Sequence, residues 1–135
     1  PLMLENLEEL INEEEDGTRR AILESIQHWR DNASGKTKSY GASDCALCGI
    51  YNNENGCVES FWIGQDCELT EVERCPVFAI TKKPGCHGTP YYAARHAALF
   101  EADDKFREKA KLEAEFLETV LLDYDTRYPR NVDKT

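Results

Sequence analysis

The sequence of 135 residues has no long hydrophobic run and few positive charges. No stretch approaches the roughly 20 apolar residues that a membrane-spanning helix needs, and the acidic N-terminus PLMLENLEELINEEED does not resemble a secretory signal. Sixteen Lys and Arg residues stand against 26 Asp and Glu residues, for a formal net charge of −10. That balance argues against a protein whose main task is to bind phosphate backbones. We therefore expect a protein of the reducing cytoplasm, without a membrane segment and without direct contact to nucleic acid.

The sequence also lacks the patterns that would point to catalysis. The stretch SGKT at 34–37 is not a phosphate-binding P-loop, because the glycine required five residues before Gly35 is replaced by Arg30 in a predicted helix. Among the histidines, we expect His28 to be half-buried or at the surface and His96 to face the helical core. No histidine has the supporting context of a Ser/His/Asp or Cys/His site, and we predict that the protein is not an enzyme.

What the sequence does contain is typical of one folded domain over residues 1–135. Hydrophobic residues make up 41% and aromatic residues 10%. A chain of this length buries about two-thirds of its unfolded surface, which is enough for a real core. The acidic residues are unevenly distributed: residues 1–32 contain nine acidic and three basic residues, a net charge of −6. An acidic surface of this kind repels nucleic acid but can attract the basic groove of a nucleic-acid-binding protein.

Residues 1–32 are expected to form two helices, followed by a loop over 33–44. The apolar face of the first helix has three aliphatic residues, Leu4, Leu7 and Ile11. The Asp-Gly pair at 16–17 breaks this helix, and Thr18 is the predicted N-cap of a second helix that continues to about Asn32. One face of the second helix carries Ile22, Ile26 and Trp29. The two helices together suggest a helical hairpin.

Residues 89–124 are predicted to be helical as well, with a frayed tail over 125–135. Thr89 is a suitable N-cap and Pro90 a suitable first helical residue. A break is expected near 101–104, where Asp103 or Asp104 would cap the last helix. The buried side of that helix carries six apolar residues: Phe106, Ala110, Phe116, Leu117, Val120 and Leu121. The predicted fold class is therefore mainly α, a helical hairpin plus C-terminal helices.

All six cysteines lie in one region, 45–88, between the two helical parts. The Asn-Gly pair at 55–56 is a β-hairpin signal, and the region has too few apolar residues to fold by itself. Cys45 and Cys48 form a Cys-x-x-Cys turn followed by glycine, which is the arrangement of half a zinc knuckle. We predict a loop or β-hairpin insert that is stabilised by one structural zinc ion.

The residues alone leave the second half of the zinc site open. The remaining candidates are Cys57, Cys67, Cys75, Cys86 and His87, none of which forms another Cys-x-x-Cys. Three other uses of the cysteines also stand: a thioredoxin-like redox pair, three disulfides in an extracellular protein, and an iron–sulfur cluster. The redox pair lacks the preceding strand of a βαβ unit, and the cluster lacks a tight run of three or four cysteines.

Five short motifs are distributed between residues 28 and 122. They are HWRDN at 28–32, DCALCGIY at 44–51, CPV at 75–77, GCHGTPYY at 85–92 and FLETVLL at 116–122. Together they resemble a family of small cysteine-rich bacteriophage proteins of unknown function. The family pattern is a Cys-x-x-Cys, a second Cys-x-x-Cys followed by Pro, and a further Cys before Thr-Pro-Tyr.

The resemblance implies four metal ligands: Cys45, Cys48, Cys75 and Cys86. This sequence departs from the family pattern at Val72, where the second Cys-x-x-Cys should begin, so Cys67 is a rival for the fourth position and His87 is a further alternative. Cys57 would then be a spare thiol or a partner of Cys67.

These features together predict a small, acidic, zinc-binding protein that acts by binding another protein. The resemblance implies a phage gene product, for which we expect a partner in the host cytoplasm, such as a defence or nucleic-acid enzyme bound in the manner of anti-restriction and anti-CRISPR proteins. One alternative is a thiol or metal redox enzyme that uses Cys45 and Cys48. Another is a nucleic-acid-binding zinc module, against which the overall acidity argues; it would use four lysines, Lys36, Lys38, Lys82 and Lys83.

Overall fold

The computed structural model describes residues 6–40, 76–81 and 89–129. These residues form five helices: α1 (Leu7–Glu13), α2 (Gly17–Ser34), α3 (Pro76–Thr81), α4 (Tyr91–Phe100) and α5 (Asp103–Arg127). No strand occurs within these three ranges, so the prediction of a mainly α protein is confirmed for the described part of the chain. The predicted β-hairpin lies outside that part. None of the described helices is long and apolar enough to cross a membrane.

The first two helices meet at a tight corner, where Asp16 is the N-cap of α2. Its Oδ1 accepts hydrogen bonds from the backbone N–H groups of Thr18 (2.9 Å) and Arg19 (3.1 Å). The prediction of Thr18 as the N-cap is therefore wrong, because a carboxylate two residues earlier pairs with the free N–H groups and complements the positive end of the helix dipole. α1 buries Leu7 and Ile11, as its predicted apolar face requires.

α2 ends at Ser34, two residues later than predicted, in a Schellman motif. Gly35 has a φ of +86°, a left-handed conformation that glycine adopts without strain. The Gly35 N–H donates to the Asn32 carbonyl (3.2 Å), and the Lys36 N–H donates to the Asp31 carbonyl (3.0 Å). Residues 36–40 have no regular secondary structure, and the rest of the predicted loop, 41–44, lies outside the described residues.

The C-terminal helices begin close to their predicted positions. Thr89 Oγ1 accepts a hydrogen bond from the Tyr91 N–H (3.2 Å), so the predicted capping side chain is used although α4 begins one residue later than expected. The predicted break between α4 and α5 is present. The N-cap of α5 is Ala102, so the prediction of Asp103 or Asp104 in that role is wrong. Both aspartates lie in the first turn instead, where negative charge is favourable at the positive end of the helix dipole.

The core lies between α2 and α5, with α4 and α3 also packed against α5 and α1 packed against α2. α4 contributes Ala94 and Ala97, which are both fully buried. Small residues at this contact allow the two helix backbones to approach closely. Phe116, which was predicted to be buried, is only partly buried against the core. The larger buried side chains of α2 and α5 include Ile22, Leu23, Ile26, Trp29, Phe106, Leu117, Val120 and Leu121.

Candidate functional site

The four predicted zinc ligands lie outside the described residues. They are Cys45, Cys48, Cys75 and Cys86, and the alternatives Cys57, Cys67 and His87 also lie outside. Within the part of the chain that the structure describes, no group of three or more His, Cys, Asp or Glu side chains is arranged to hold a metal ion. The zinc site therefore stays a prediction. The described residues are relevant to this prediction because they fix the position of the chain just before and just after the cysteine-containing part.

Asn32 holds the chain that leads into the first cysteine-containing segment. Its side chain is fully buried near the C-terminal end of α2. Oδ1 accepts hydrogen bonds from Thr37 Oγ1 (2.6 Å) and from the Ser39 backbone N–H (2.9 Å), while Nδ2 donates to the Ser39 carbonyl (2.7 Å). The amide thus pairs with both backbone polar groups of Ser39, much as a neighbouring strand would. We call these three residues, Asn32, Thr37 and Ser39, the Asn32 latch.

The two described histidines differ in their surroundings. His28 Nε2 lies 2.8 Å from the Ser39 carbonyl oxygen, which can only accept a hydrogen bond, so Nε2 carries the hydrogen and strengthens the latch. The His28 ring is half-buried, as expected, and meets Trp29 edge-to-face with ring centroids 5.3 Å apart. His96, expected to face the core, is exposed instead and lies 3.3 Å from the Glu101 carboxylate. The prediction for His96 is wrong because the buried face of α4 is formed by Tyr91, Ala94, Ala97 and Ala98.

The chain segments on either side of the cysteine-containing part meet at Tyr40 and Tyr91, which we call the tyrosine pair. The Tyr91 hydroxyl donates a hydrogen bond to the Tyr40 carbonyl (2.7 Å), although 51 positions separate the two residues. Tyr91 is buried and packs edge-to-face on Trp29, with centroids 5.9 Å apart. The Tyr40 ring packs against Phe106, with centroids 6.3 Å apart. Both tyrosines are therefore fixed to the same core.

Three of the predicted ligands are close in sequence to described residues of this core. Cys45 follows Tyr40 by five residues, and Cys86 precedes Tyr91 by five. Cys75 is bonded directly to Pro76, the first residue of α3. α3 packs against α5 and buries Val77 in the common core. Tyr40, Val77 and Tyr91 therefore all pack in the same core.

The same contacts give a structural role to three of the short motifs. HWRDN lies in the C-terminal half of α2, the TPYY end of GCHGTPYY lies at the start of α4, and FLETVLL lies within α5. Trp29 of the first motif contacts Tyr91 of the second, and Arg30 forms an ion pair with Glu118 of the third. The three motifs therefore meet in one core beside the Asn32 latch and the tyrosine pair.

A second polar cluster, the Arg19 clamp, joins the α1–α2 corner to the C-terminal end of α5. The Arg19 guanidinium contacts Glu14 Oε1 at 2.6 Å and the two carboxylate oxygens of Asp125 at 2.8 and 3.1 Å. Glu14 is buried and also accepts a hydrogen bond from the Asp16 N–H (3.1 Å), while the Tyr124 hydroxyl donates to Asp16 Oδ2 (2.8 Å). The hydrogen bond with Asp125, followed by that with Glu14, raises the pKa of Arg19 above its ordinary value. The clamp has no local signal in the sequence, because Arg19 and Asp125 lie 106 positions apart.

A shallow groove, which we call the acidic groove, lies beside α1. It is lined by Asn6, Leu7, Glu8, Glu9, Asn12 and Gln27. Its leucine is apolar, three of its side chains carry amides that can donate and accept hydrogen bonds, and Glu8 and Glu9 are exposed. Glu13 and Glu15 are exposed on the same segment of the chain, whereas Glu14 belongs to the Arg19 clamp. The carboxylates of Glu8, Glu9, Glu13 and Glu15 are therefore accessible to a partner.

No protein-family model, characterised protein or solved structure matches this chain. The resemblance to the phage family therefore rests on the short motifs alone. Function has to be inferred from the acidic groove, the latch and the cysteine pattern.

Proposed function

We propose that this protein is a small, non-catalytic binding protein that presents its acidic groove to a basic surface of a partner protein. The observation that carries the proposal is the composition of the groove, in which Glu8 and Glu9 are exposed beside the amide side chains of Asn6 and Asn12. A lysine or arginine side chain of a partner would form charge-assisted hydrogen bonds with these carboxylates. The neighbouring amides add donors and acceptors for the partner's backbone.

The second part of the proposal is that one zinc ion, bound by Cys45, Cys48, Cys75 and Cys86, holds a loop or β-hairpin insert together. Support comes from the tyrosine pair and α3, which keep the chain next to three of these cysteines attached to one helical core. Four thiolate ligands form a closed tetrahedral site, and a site of this kind stabilises structure and leaves no position for a substrate. This is why we propose a binding protein and not an enzyme.

The third part concerns the partner and the compartment. A net charge of −10 suits binding to a protein that itself binds nucleic acid, because such proteins carry basic grooves. In line with the resemblance to phage proteins, we propose a host defence or nucleic-acid enzyme as the partner. We place the complex in the host cytoplasm, where reducing conditions keep cysteine thiols available to a metal.

The zinc proposal is tested by native mass spectrometry of the full chain before and after chelation, combined with counting of free thiols. We expect one zinc ion per chain, lost on chelation together with part of the folded structure. Serine variants of the ligands should each lose the metal, namely Cys45→Ser, Cys48→Ser, Cys75→Ser and Cys86→Ser. Cys57→Ser is the matched control and should retain it. Loss of zinc from Cys67→Ser with retention in Cys86→Ser would move the fourth ligand to Cys67.

Other outcomes of the same experiment would overturn the zinc proposal. A metal-free protein with no free thiols would establish disulfides. A metal-free protein with a reversible Cys45–Cys48 disulfide would favour thiol redox chemistry.

The groove proposal is tested by comparing two double variants with the same change of charge. Glu8→Gln with Glu9→Gln neutralises the groove, while Glu108→Gln with Glu115→Gln neutralises two exposed acids of α5. Proteins captured from a host lysate with the wild-type chain are purified, and their affinities for the three chains are measured at low and high salt. We expect binding to weaken with salt and to be lost mainly in the groove variant. Equal affinity of the two variants for every captured protein would contradict the proposal.

A further inference from the structure

A cleft of about 180 Å³ lies between the turn that follows α2 and the first turn of α5. It is lined by residues 35–38 of the turn and by Asp103, Phe106 and Arg107 of α5. A Cβ atom added to Gly35 would lie 3.5 Å from Arg107 Cδ, so the arginine stem passes directly beside the turn. Lys38 Nζ lies over the Phe106 ring, 5.9 Å from its centroid. We call this site the cationic cleft.

The cationic cleft is positive although the chain as a whole is strongly acidic. It contains Lys36, Lys38 and Arg107 against one carboxylate, that of Asp103, so three positive charges minus one leave a local net charge of +2. Lys38 Nζ donates to Asp103 Oδ1 at 2.9 Å. Lys36 and Arg107 are exposed and form no ion pair within the described ranges of the chain. Two cations of the cleft are therefore available to an external anion.

We propose that the cationic cleft binds a phosphate group, either as the free ion or as the monoester of a small molecule. Guanidinium and ammonium groups form charge-assisted hydrogen bonds with phosphate oxygens, and the cleft has room for one phosphate with a few attached atoms. The start of α5 also carries partial positive charge, although the carboxylates of Asp103 and Asp104 in its first turn offset part of it. This site is independent of the acidic groove and of the zinc ligands, and its failure would leave the proposed function untouched.

A nucleic-acid strand fits the cationic cleft less well than a single phosphate. The net charge of −10 repels a polyanion that extends over the surface, whereas one phosphate group meets mainly the local charge within about a Debye length of 8–10 Å. The chemistry of the cleft therefore favours a small phosphorylated ligand.

Asp103 acts in this cleft as an internal competitor of the ligand. Its carboxylate already takes one hydrogen bond from Lys38, and a bound phosphate would have to share that lysine and tolerate the nearby negative charge. Removing the charge of Asp103 should therefore strengthen phosphate binding. If Lys38 and Asp103 formed only a structural ion pair, the same change would bring no gain.

The proposal is tested by NMR titration of the isotope-labelled full chain with inorganic phosphate, pyrophosphate and ribose 5-phosphate at constant pH and ionic strength. We expect saturable shifts confined to residues 35–38 and 103–107, with millimolar affinity. Lys36→Gln and Arg107→Gln should each weaken binding about fivefold, since each removes a charge-assisted hydrogen bond. Lys111→Gln, the same charge change at an exposed position of α5 that does not line the cleft, should leave the affinity unchanged. Tighter binding of ribose 5-phosphate than of inorganic phosphate identifies the monoester as the source, and the reverse order identifies the free ion.

A gain-of-affinity variant keeps the test independent of misfolding. Asp103→Asn should bind phosphate about threefold more tightly, because it removes a competing negative charge. Asp123→Asn, near the other end of α5, makes the same charge change and should have no effect. The proposal is overturned by a response that does not saturate, by Arg107→Gln with wild-type affinity, or by equal effects of the two Asn variants. Tighter binding of a single-stranded oligonucleotide than of pyrophosphate would also overturn it, since the cleft would then be part of a nucleic-acid surface.

Discussion

Replacing Asn32 with alanine should loosen the loop that leads into the first cysteine-containing segment. In the folded protein the buried amide makes three hydrogen bonds with Thr37 and Ser39. Alanine removes all three and leaves the Ser39 N–H and the Thr37 hydroxyl without these partners. The Ser39 carbonyl keeps its contact with His28. The variant therefore tests how much the Asn32 latch contributes to stability.

The expected loss follows from these contacts. The Ser39 N–H is partly buried, so losing its hydrogen bond to Asn32 would cost about 1–3 kcal/mol if the loop stayed in place. Thr37 is exposed, so its hydroxyl can turn to water and its loss costs less. The loop follows the end of α2 and can move outward until the Ser39 N–H also reaches water, which lowers the cost toward that of the lost bonds. We therefore expect the free energy of unfolding to fall by about 2–3 kcal/mol.

Urea unfolding followed by circular dichroism measures this change, and amide hydrogen exchange at Ser39 localises it. Asn12→Ala is the matched control, because Asn12 is exposed on α1 and its replacement should change stability by less than about 0.5 kcal/mol. Asn32→Asp is a second variant. It keeps an acceptor, loses the donor and buries a charge, so it should destabilise at least as much as alanine.

Two results would refute the reasoning about the latch. One is an Asn32→Ala variant whose urea midpoint equals that of the wild type. The other is a Ser39 amide that exchanges equally fast in the two proteins, which would mean that the hydrogen bonds to Asn32 do not protect it. If zinc is bound as proposed, the variant should also bind zinc several-fold more weakly, because the latch holds the chain just before Cys45.

Three further changes test other contacts. Arg19→Met removes the cation beside the buried Glu14 carboxylate and should lower the free energy of unfolding in urea by about 2 kcal/mol; adding Glu14→Gln should recover part of the loss, and no recovery would contradict the clamp. Lys38→Gln should raise the pKa of Asp103 toward its ordinary value of 3.8 in an NMR titration, because the hydrogen bond from Lys38 lowers it. Since the pKa is lower in the folded state, this contact stabilises the protein at neutral pH and is lost as the pH falls through the folded-state pKa of Asp103; an unchanged pKa in the variant would refute the pairing. Gly35→Ala should cost about 1 kcal/mol in thermal unfolding, because a φ of +86° is strained for alanine. The added Cβ meets the neighbouring arginine stem at an ordinary distance, so a loss several times larger would contradict this geometry.

Four of the five described helices could be predicted because their signals are local; α3 could not, since it lies in the region 45–88 that was predicted to be a loop or β-hairpin insert. Apolar residues at helical spacing, the Asp-Gly pair at 16–17 and the capping side chain of Thr89 all act over a few residues, and the structure has helices in each of these regions. The errors concern N-caps, where Asp16 and Ala102 occupy positions predicted for their neighbours. At the start of α2, Asp16 and Thr18 are both able to cap the helix. At the start of α5 the N-cap residue, Ala102, makes no side-chain hydrogen bond, so the path of the chain and not capping chemistry decides where the helix begins.

The polar clusters could be predicted only in part. Asn32 follows Trp29 by three residues and so lies on the same apolar face of α2. A polar residue on that face indicates a buried side chain that needs hydrogen-bond partners. Its partners could not be identified, because they lie in an irregular loop whose path depends on the Schellman turn. For the Arg19 clamp no local signal exists, since α2 and α5 must first pack against each other before Arg19 meets Asp125.

The sequence by itself determined that the chain is acidic, that helices lie on both sides of a cysteine-rich region, and which residues of those helices form the apolar stripes. These properties follow from composition and from spacing along the chain, and they need no knowledge of distant contacts. Only the tertiary structure decided which carboxylates of the acidic segment are exposed and which one, Glu14, is paired in the clamp. It also brought Lys36 next to Arg107 in the cationic cleft and Tyr40 next to Tyr91 at the base of the cysteine-containing part. The physical reason is the same in each case: the partners lie far apart in the sequence, and the packing of α2, α4 and α5 sets their distances.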